Sequence, residues 1–232
     1  MVAVKPARRA ASRRAKSSEA AILSGPQGRA RFVGATGRWL LALAVAGLAT
    51  PAAVGACGSS TYGDVQETWT RAKDAYDGFE VKAFAAATLK VLPFRRAYVD
   101  EYARLFALTK EQREAMLENE RDEDRRSLVV MVAFYTPQTA WNDLNPARGI
   151  WEVRLESGPG DIVHPFAVTR VSQQRNPTWQ ALFPYVGAHH VFYELKFERD
   201  LPDGRPFARG GDRVDLVIAG APTQLRLAWK MP

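Results

Sequence analysis

Chemistry in this chain would have to be built from few reactive side chains: one cysteine, Cys57, and three histidines, His164, His189 and His190, in 232 residues. A single cysteine excludes an intramolecular disulfide and a zinc site of paired cysteines. His189 and His190 are adjacent, and neighbours on a strand point to opposite faces, so they are not expected to chelate one ion. They read instead as the start of a strand after Gly187. His164 precedes Pro165, which biases it toward extended surface backbone. No HExxH, GxSxG or Walker A pattern is present, so no catalytic residue, metal ligand or cofactor is assigned. A hydrolase would need a site scattered over loops, and Asp143, Asp161, His164 and His189 are the loop groups available for a carboxylate pair or a His–acid pair. Aromatic residues are the richer class. Two long connections carry them: residues 137–148 with Trp141, and residues 172–188 with Trp179, Phe183 and Tyr185. Trp141, Trp179 and Tyr185 are candidates for a contact surface for a protein or glycan. The competing reading is that they fold back to cap the core.

The net charge of +7 invites a nucleic-acid partner until it is located. Residues 1–56 hold nine Lys/Arg and one acid, Glu19, whereas residues 57–232 hold 23 basic and 24 acidic residues. The excess therefore lies in the first segment, and the rest, at −1, has no basic stripe for nucleic acid. In that first segment a basic stretch ending at Arg38 precedes an apolar run, Trp39 to Ala49, then Thr50, Pro51 and the small residues AAVGA. A positive region, an apolar stretch and a small-residue cleavage zone make a secretory signal peptide over residues 1–56. Its basic region is long, Ala/Arg/Ser-rich and without hydrophobic periodicity, and a start codon further downstream would shorten it. Ser12-Arg13-Arg14 gives a faint twin-arginine signal. Val33-Gly34-Ala35-Thr36-Gly37 lacks the strand and amphipathic helix that a dinucleotide-binding turn requires. Residues 39–56, at 18 residues and interrupted by Pro51, could also stay as an uncleaved transmembrane helix.

The residues Val54-Gly55-Ala56-Cys57-Gly58-Ser59-Ser60 resemble the lipobox of bacterial lipoprotein precursors. The resemblance covers residues 36–60 and departs from the commonest pattern at Val54, where leucine is most frequent. It implies that the Cys57 thiol receives a diacylglyceryl group and that cleavage falls just before it. It also implies membrane anchoring through several acyl chains. Gly58 and Ser59 are not the aspartate that retains such proteins at the inner membrane, so in a two-membrane bacterium the resemblance implies the outer membrane. The alternative is a conventional signal peptide cut after Ala56, which leaves Cys57 as a free thiol.

Residues 57–63 read as a tether and residues 64–232 as one globular domain. Val65, Trp69, Ala72, Tyr76 and Phe79 fall on one helical face, predicting a helix over 64–78 with Asp64 as N-cap and Gly78 at its end. Residues 81–92 read as a strand. Phe94, Tyr98, Tyr102 and Leu105 predict a helix after Pro93, and Thr109-Lys110-Glu111-Gln112 is a capping box opening another, so 94–125 reads as a helical insertion. The charged run from Glu118 to Arg126 reads as a solvated helix end with mixed-sign pairs rather than a cation site. Residues 128–135, LVVMVAFY, predict a central strand buried on both faces. Residues 151–156, 162–171, 191–198, 214–218 and 225–229 supply further strands between Gly/Pro turns. The expected fold is mainly β, an immunoglobulin-like antiparallel β-sandwich with a helical insertion and a short N-terminal helix. The function this supports is a lipid-anchored envelope protein in a binding or structural role, its partners the membrane and another envelope protein or glycan.

Overall fold

The computed structural model describes residues 61–158, 160–172 and 177–232. The residues expected to be a signal peptide, Cys57 and the first residues of the expected tether lie outside them. The chain opens on α1 (Tyr62–Trp69), where Thr61 and Asp64 form a reciprocal capping box. The helix then stops: residues expected to continue it form β1 (Thr70–Asp77). β1 returns antiparallel through β2 (Glu80–Leu89), in register from Thr70 opposite Thr88 to Asp77 opposite Glu80. The loop is two residues, and Gly78 takes φ +58, as the first position of such a hairpin demands. Asp77-Gly78 is thus a hairpin signal, and the helical spacing of Ala72 and Tyr76 loses to backbone pairing with β2. The strand expected over 81–92 ends at Leu89, because Pro93 sits in the first turn of α2 (Leu92–Leu105).

The helical insertion is present as α2 and α3 (Lys110–Arg126), and Thr109 and Gln112 cap α3 reciprocally. β3 (Ser127–Tyr135) is buried along nearly its whole length. β4 (Trp151–Ser157) alternates buried and accessible positions. The strand expected over 162–171 is divided: β5 (Asp161–Val163) and β6 (Pro165–Arg170) belong to different sheets, and the chain crosses between them at His164. A short helix, α4 (Pro177–Leu182), precedes β7 (Val191–Glu198), β8 (Arg213–Gly220) and β9 (Thr223–Lys230).

These strands make two antiparallel sheets, one ordered β1-β2-β3-β7-β6 and the other β5-β4-β8-β9. Register shows how the layers stack. Ala85, Phe134 and Val191 lie side by side on one face of the first sheet. Phe134 meets Trp151 of the second sheet edge-on, with centroids 5.2 Å apart. On the opposite face Lys196 reaches Glu123 of α3, and Phe192 packs on Phe183 just after α4. The first sheet is therefore covered by the second sheet on one side and by helices on the other, which is why β3 is continuously apolar. Among the described residues no helix is long and apolar enough to cross a membrane.

Truncating Phe134, fully buried between the sheets, to alanine is expected to cost about 3–5 kcal/mol. Thr109→Ala, removing the α3 cap, costs about 1 kcal/mol. Urea unfolding of the two variants checks both values and their order.

Candidate functional site

The helical face of the first sheet holds an ionic cluster built around one buried arginine. At its centre is Arg95, on α2 and without any exposed surface. Its Nε donates to the Lys90 carbonyl at 2.8 Å. Its Nη1 donates to Glu123 at 2.8 Å and also to Glu120, and Asp124 lies 3.5 Å from Nε. Lys90 pairs with Glu120 at 3.2 Å and holds its ammonium over the Tyr98 ring. Lys196 of β7 donates to Glu123 at 2.5 Å, and Arg199 donates to the Asp124 carbonyl at 2.7 Å. Glu120, Glu123 and Asp124 occupy positions i, i+3 and i+4, one face of α3. The outward face carries the solvated pairs expected from sequence, Arg121 with Glu118 at 3.1 Å and Arg125 with Asp122. The charged run is thus divided: one face is wet, and the other is partly buried against Arg95 and Lys90, which are buried. Burial opposes ionisation of Glu123, but hydrogen bonds from Arg95 and Lys196 and the charge of Lys90 outweigh it and hold the carboxyl at about 2.

Beside this layer lies an aromatic one. Trp179 stacks on Phe183 at 5.8 Å, and Phe183 in turn contacts Phe94, Tyr98 and Tyr185 at 6.0–6.2 Å. Tyr185 accepts a hydrogen bond from Thr88 at 2.9 Å, and burial pushes its phenol well above the usual range. Trp141 is half-buried in a 3-10 turn, where its carbonyl accepts the Trp151 indole N–H at 2.7 Å. Trp141, Trp179 and Tyr185 are therefore all at least half-buried. Trp179 and Tyr185 pack against the core, and the 177–188 segment caps it.

The four groups considered for hydrolysis each have neighbours of their own, and Asp161, expected in a loop, opens β5. Asp143 accepts from the Asn145 N–H at 2.9 Å and pairs with Arg148 at 3.6 Å. Asp161 pairs with Arg205 at 3.4 Å. His164 is exposed at the crossing between sheets, and His189 is exposed with its ring 6.5 Å from that of Tyr135. His190 turns to stack on Phe84 at 5.0 Å, accepts the Gly187 N–H on Nδ1, and is pushed below the usual imidazole range by burial. Among the described residues no three His, Cys, Asp or Glu side chains form a group able to hold a metal ion.

Next to α1 an open groove of about 480 Å³ runs between Tyr62 and Val65 on one side and Arg96, Asp100 and Arg104 of α2 on the other. Its α1 wall is pinned by the Tyr62 hydroxyl and the Gln66 amide, both donating to the Leu182 carbonyl, at 2.6 and 3.2 Å. Comparison of the chain with protein-family models, curated proteins and solved structures gives no match. The residue that sequence reasoning missed is Arg95. Its only sequence signal is the i, i+3, i+4 spacing of the acids on α3, 25 or more residues away.

Glu123→Gln removes one of the acids facing Arg95, and because Glu120 and Asp124 remain it is expected to cost about 1–3 kcal/mol. With the native carboxyl held at about 2 against 4.5 unperturbed, its stabilisation is complete above pH 4.5 and lost as pH falls toward 2. Urea unfolding across that range should show a steeper acid decline for the native chain than for Glu123→Gln.

Proposed function

We propose that this chain is a lipid-anchored protein of the bacterial cell envelope, attached through Cys57, whose β-rich domain has a binding or structural role. The observation that carries the reading is the position of the fold relative to the lipobox-like residues. Only three residues separate Cys57 from the Thr61 capping box, and four extended residues reach at most about 14 Å. The helix that begins there is tied to the domain through Tyr62 and Gln66. An acyl group at Cys57 would hold the α1–α2 end of the domain against the bilayer, with no long linker between them. Gly58 and Ser59 favour the outer membrane in a cell with two membranes. The partner in this reading is another envelope component, protein or glycan. We also infer that the two sheets form an immunoglobulin-like sandwich, supported by the meeting of Phe134 and Trp151 between them.

Mass spectrometry of the N-terminal peptide from the protein made in a bacterial envelope tests the anchor. The expected result is Cys57 as first residue, carrying a diacylglyceryl thioether, with Cys57→Ala released from the membrane fraction. An unmodified peptide beginning at Cys57 overturns the anchor in favour of a conventional signal peptide. Retention of residues 39–56 favours a transmembrane helix instead.

A further inference from the structure

The second sheet carries a feature that the anchor does not use. Between the β4–β5 hairpin and the connection from β7 to β8 lies a cleft of about 370 Å³, and Arg205, Arg209 and Arg213 line it together with Asp161, Asp212 and buried Phe207. The three arginines are four residues apart, but the segment is not a helix, so backbone turns bring them together. Those turns are tied down: Leu201 N–H donates to the Arg205 carbonyl at 2.7 Å, Phe207 N–H to Arg199 at 2.8 Å, and Gly211 N–H to Met231 at 3.0 Å. Asp212 accepts the Arg209 N–H at 2.8 Å. Gly210 passes so close to Pro232 that a Cβ would lie 2.8 Å from its carbonyl oxygen.

Three exposed guanidinium groups line this cleft beside the carboxylates of Asp161 and Asp212, and they are not equally engaged. Arg205 is held by Asp203 at 2.7 Å and by Asp161 across the mouth at 3.4 Å. Among the described residues Arg213 gives its Nε alone, to Asp215 at 2.8 Å, and Asp215 is shared with Arg226. The Arg209 guanidinium makes no hydrogen bond or ion pair among the described residues. A planar guanidinium presents its N–H groups as a fork that fits two oxygens of a carboxylate or phosphate.

We propose that this cleft binds an oxyanion, gripped by Arg209 and the open edge of Arg213, with Arg205 as the fixed wall. The ligand is the carboxylate or phosphate of a small molecule or of the end group of a larger one. This site stands apart from the anchoring by Cys57, and neither result bears on the other.

Calorimetric titration of the purified full chain at low salt, with inorganic phosphate and in parallel with succinate, tests it. At least one probe should saturate in the millimolar range or below, and Arg209→Gln should weaken it about tenfold or more. Arg209→Lys, which keeps the charge and loses the fork, should fall between. Because the Arg209 side chain has no partner to lose, its variants should unfold at the native temperature, and Arg148→Gln should bind as the native chain does. Saturation by phosphate alone assigns a phosphate ligand, and by succinate alone a carboxylate. Failure of both probes to saturate, or undiminished binding by Arg209→Gln, overturns the site.

Discussion

A guanidinium with no exposed surface organises the helical side of this domain. Burying the Arg95 charge unpaired would cost several kcal/mol, so the chain has to bring anions to it. They come from one face of α3, and they come at a cost of their own. Glu120, Glu123 and Asp124 lie toward the C-terminal end of that helix, where the macrodipole disfavours negative charge. Lys90, Lys196 and Arg199 offset both that and the mutual repulsion of the acids. The cations arrive from the residue just beyond β2, from β7 and from the residue just beyond β7. One ionic layer thus joins α2, α3, β7 and the end of the connection leaving β2. An apolar layer of equal volume would often be as stable. The ionic layer adds directionality, because each partner meets its neighbour at one position along the helix.

The same face of the sheet changes character along β7. Lys196, paired with Glu194 on its own strand, meets the charged face of α3, whereas Phe192 meets the aromatic segment around Phe183. That segment also holds the Leu182 carbonyl that takes the two hydrogen bonds from α1. The beginning of the fold is consequently tied to the aromatic segment beside the Arg95 layer, and at the other end of α1 the Trp69 carbonyl accepts the indole N–H of Trp229 on β9 at 2.8 Å. Under the proposed attachment at Cys57, this end of the domain would stay within about 14 Å of the acylated residue, the reach of four extended residues. The oxyanion cleft draws on a different device, a turn-rich connection braced by backbone hydrogen bonds to the last residues of the chain.

Local signals are legible where one stretch of chain carries its own partner. The capping box at Thr109 and Gln112 is closed within four residues, and the clean alternation of 151–156 needs only one wet face. The same reasoning fails where two local readings fit one segment. Residues 70–77 have helical spacing and a strand's destiny, decided by pairing with β2 through Asp77-Gly78. Residues 161–170 look like one strand and serve two sheets, because the crossing at His164 depends on where β4 and β7 lie. Trp179 and Tyr185 fit both a contact surface and a cap on the core from sequence, because burial cannot be read from residue type, and they pack against the core.

By itself the sequence determined the division of charge at Cys57, the resemblance of residues 54–60 to a lipobox, the placement of the paired helices and the mainly β character of the rest. Each of these is written in contiguous residues or in a period of two or of three to four. Only the tertiary structure decided that Arg95 is buried, that one face of the acidic run on α3 is its counter-charge, and that Arg205, Arg209 and Arg213 face one cleft. Those facts depend on residues tens of positions apart meeting at hydrogen-bond distance, and no local pattern encodes such a meeting.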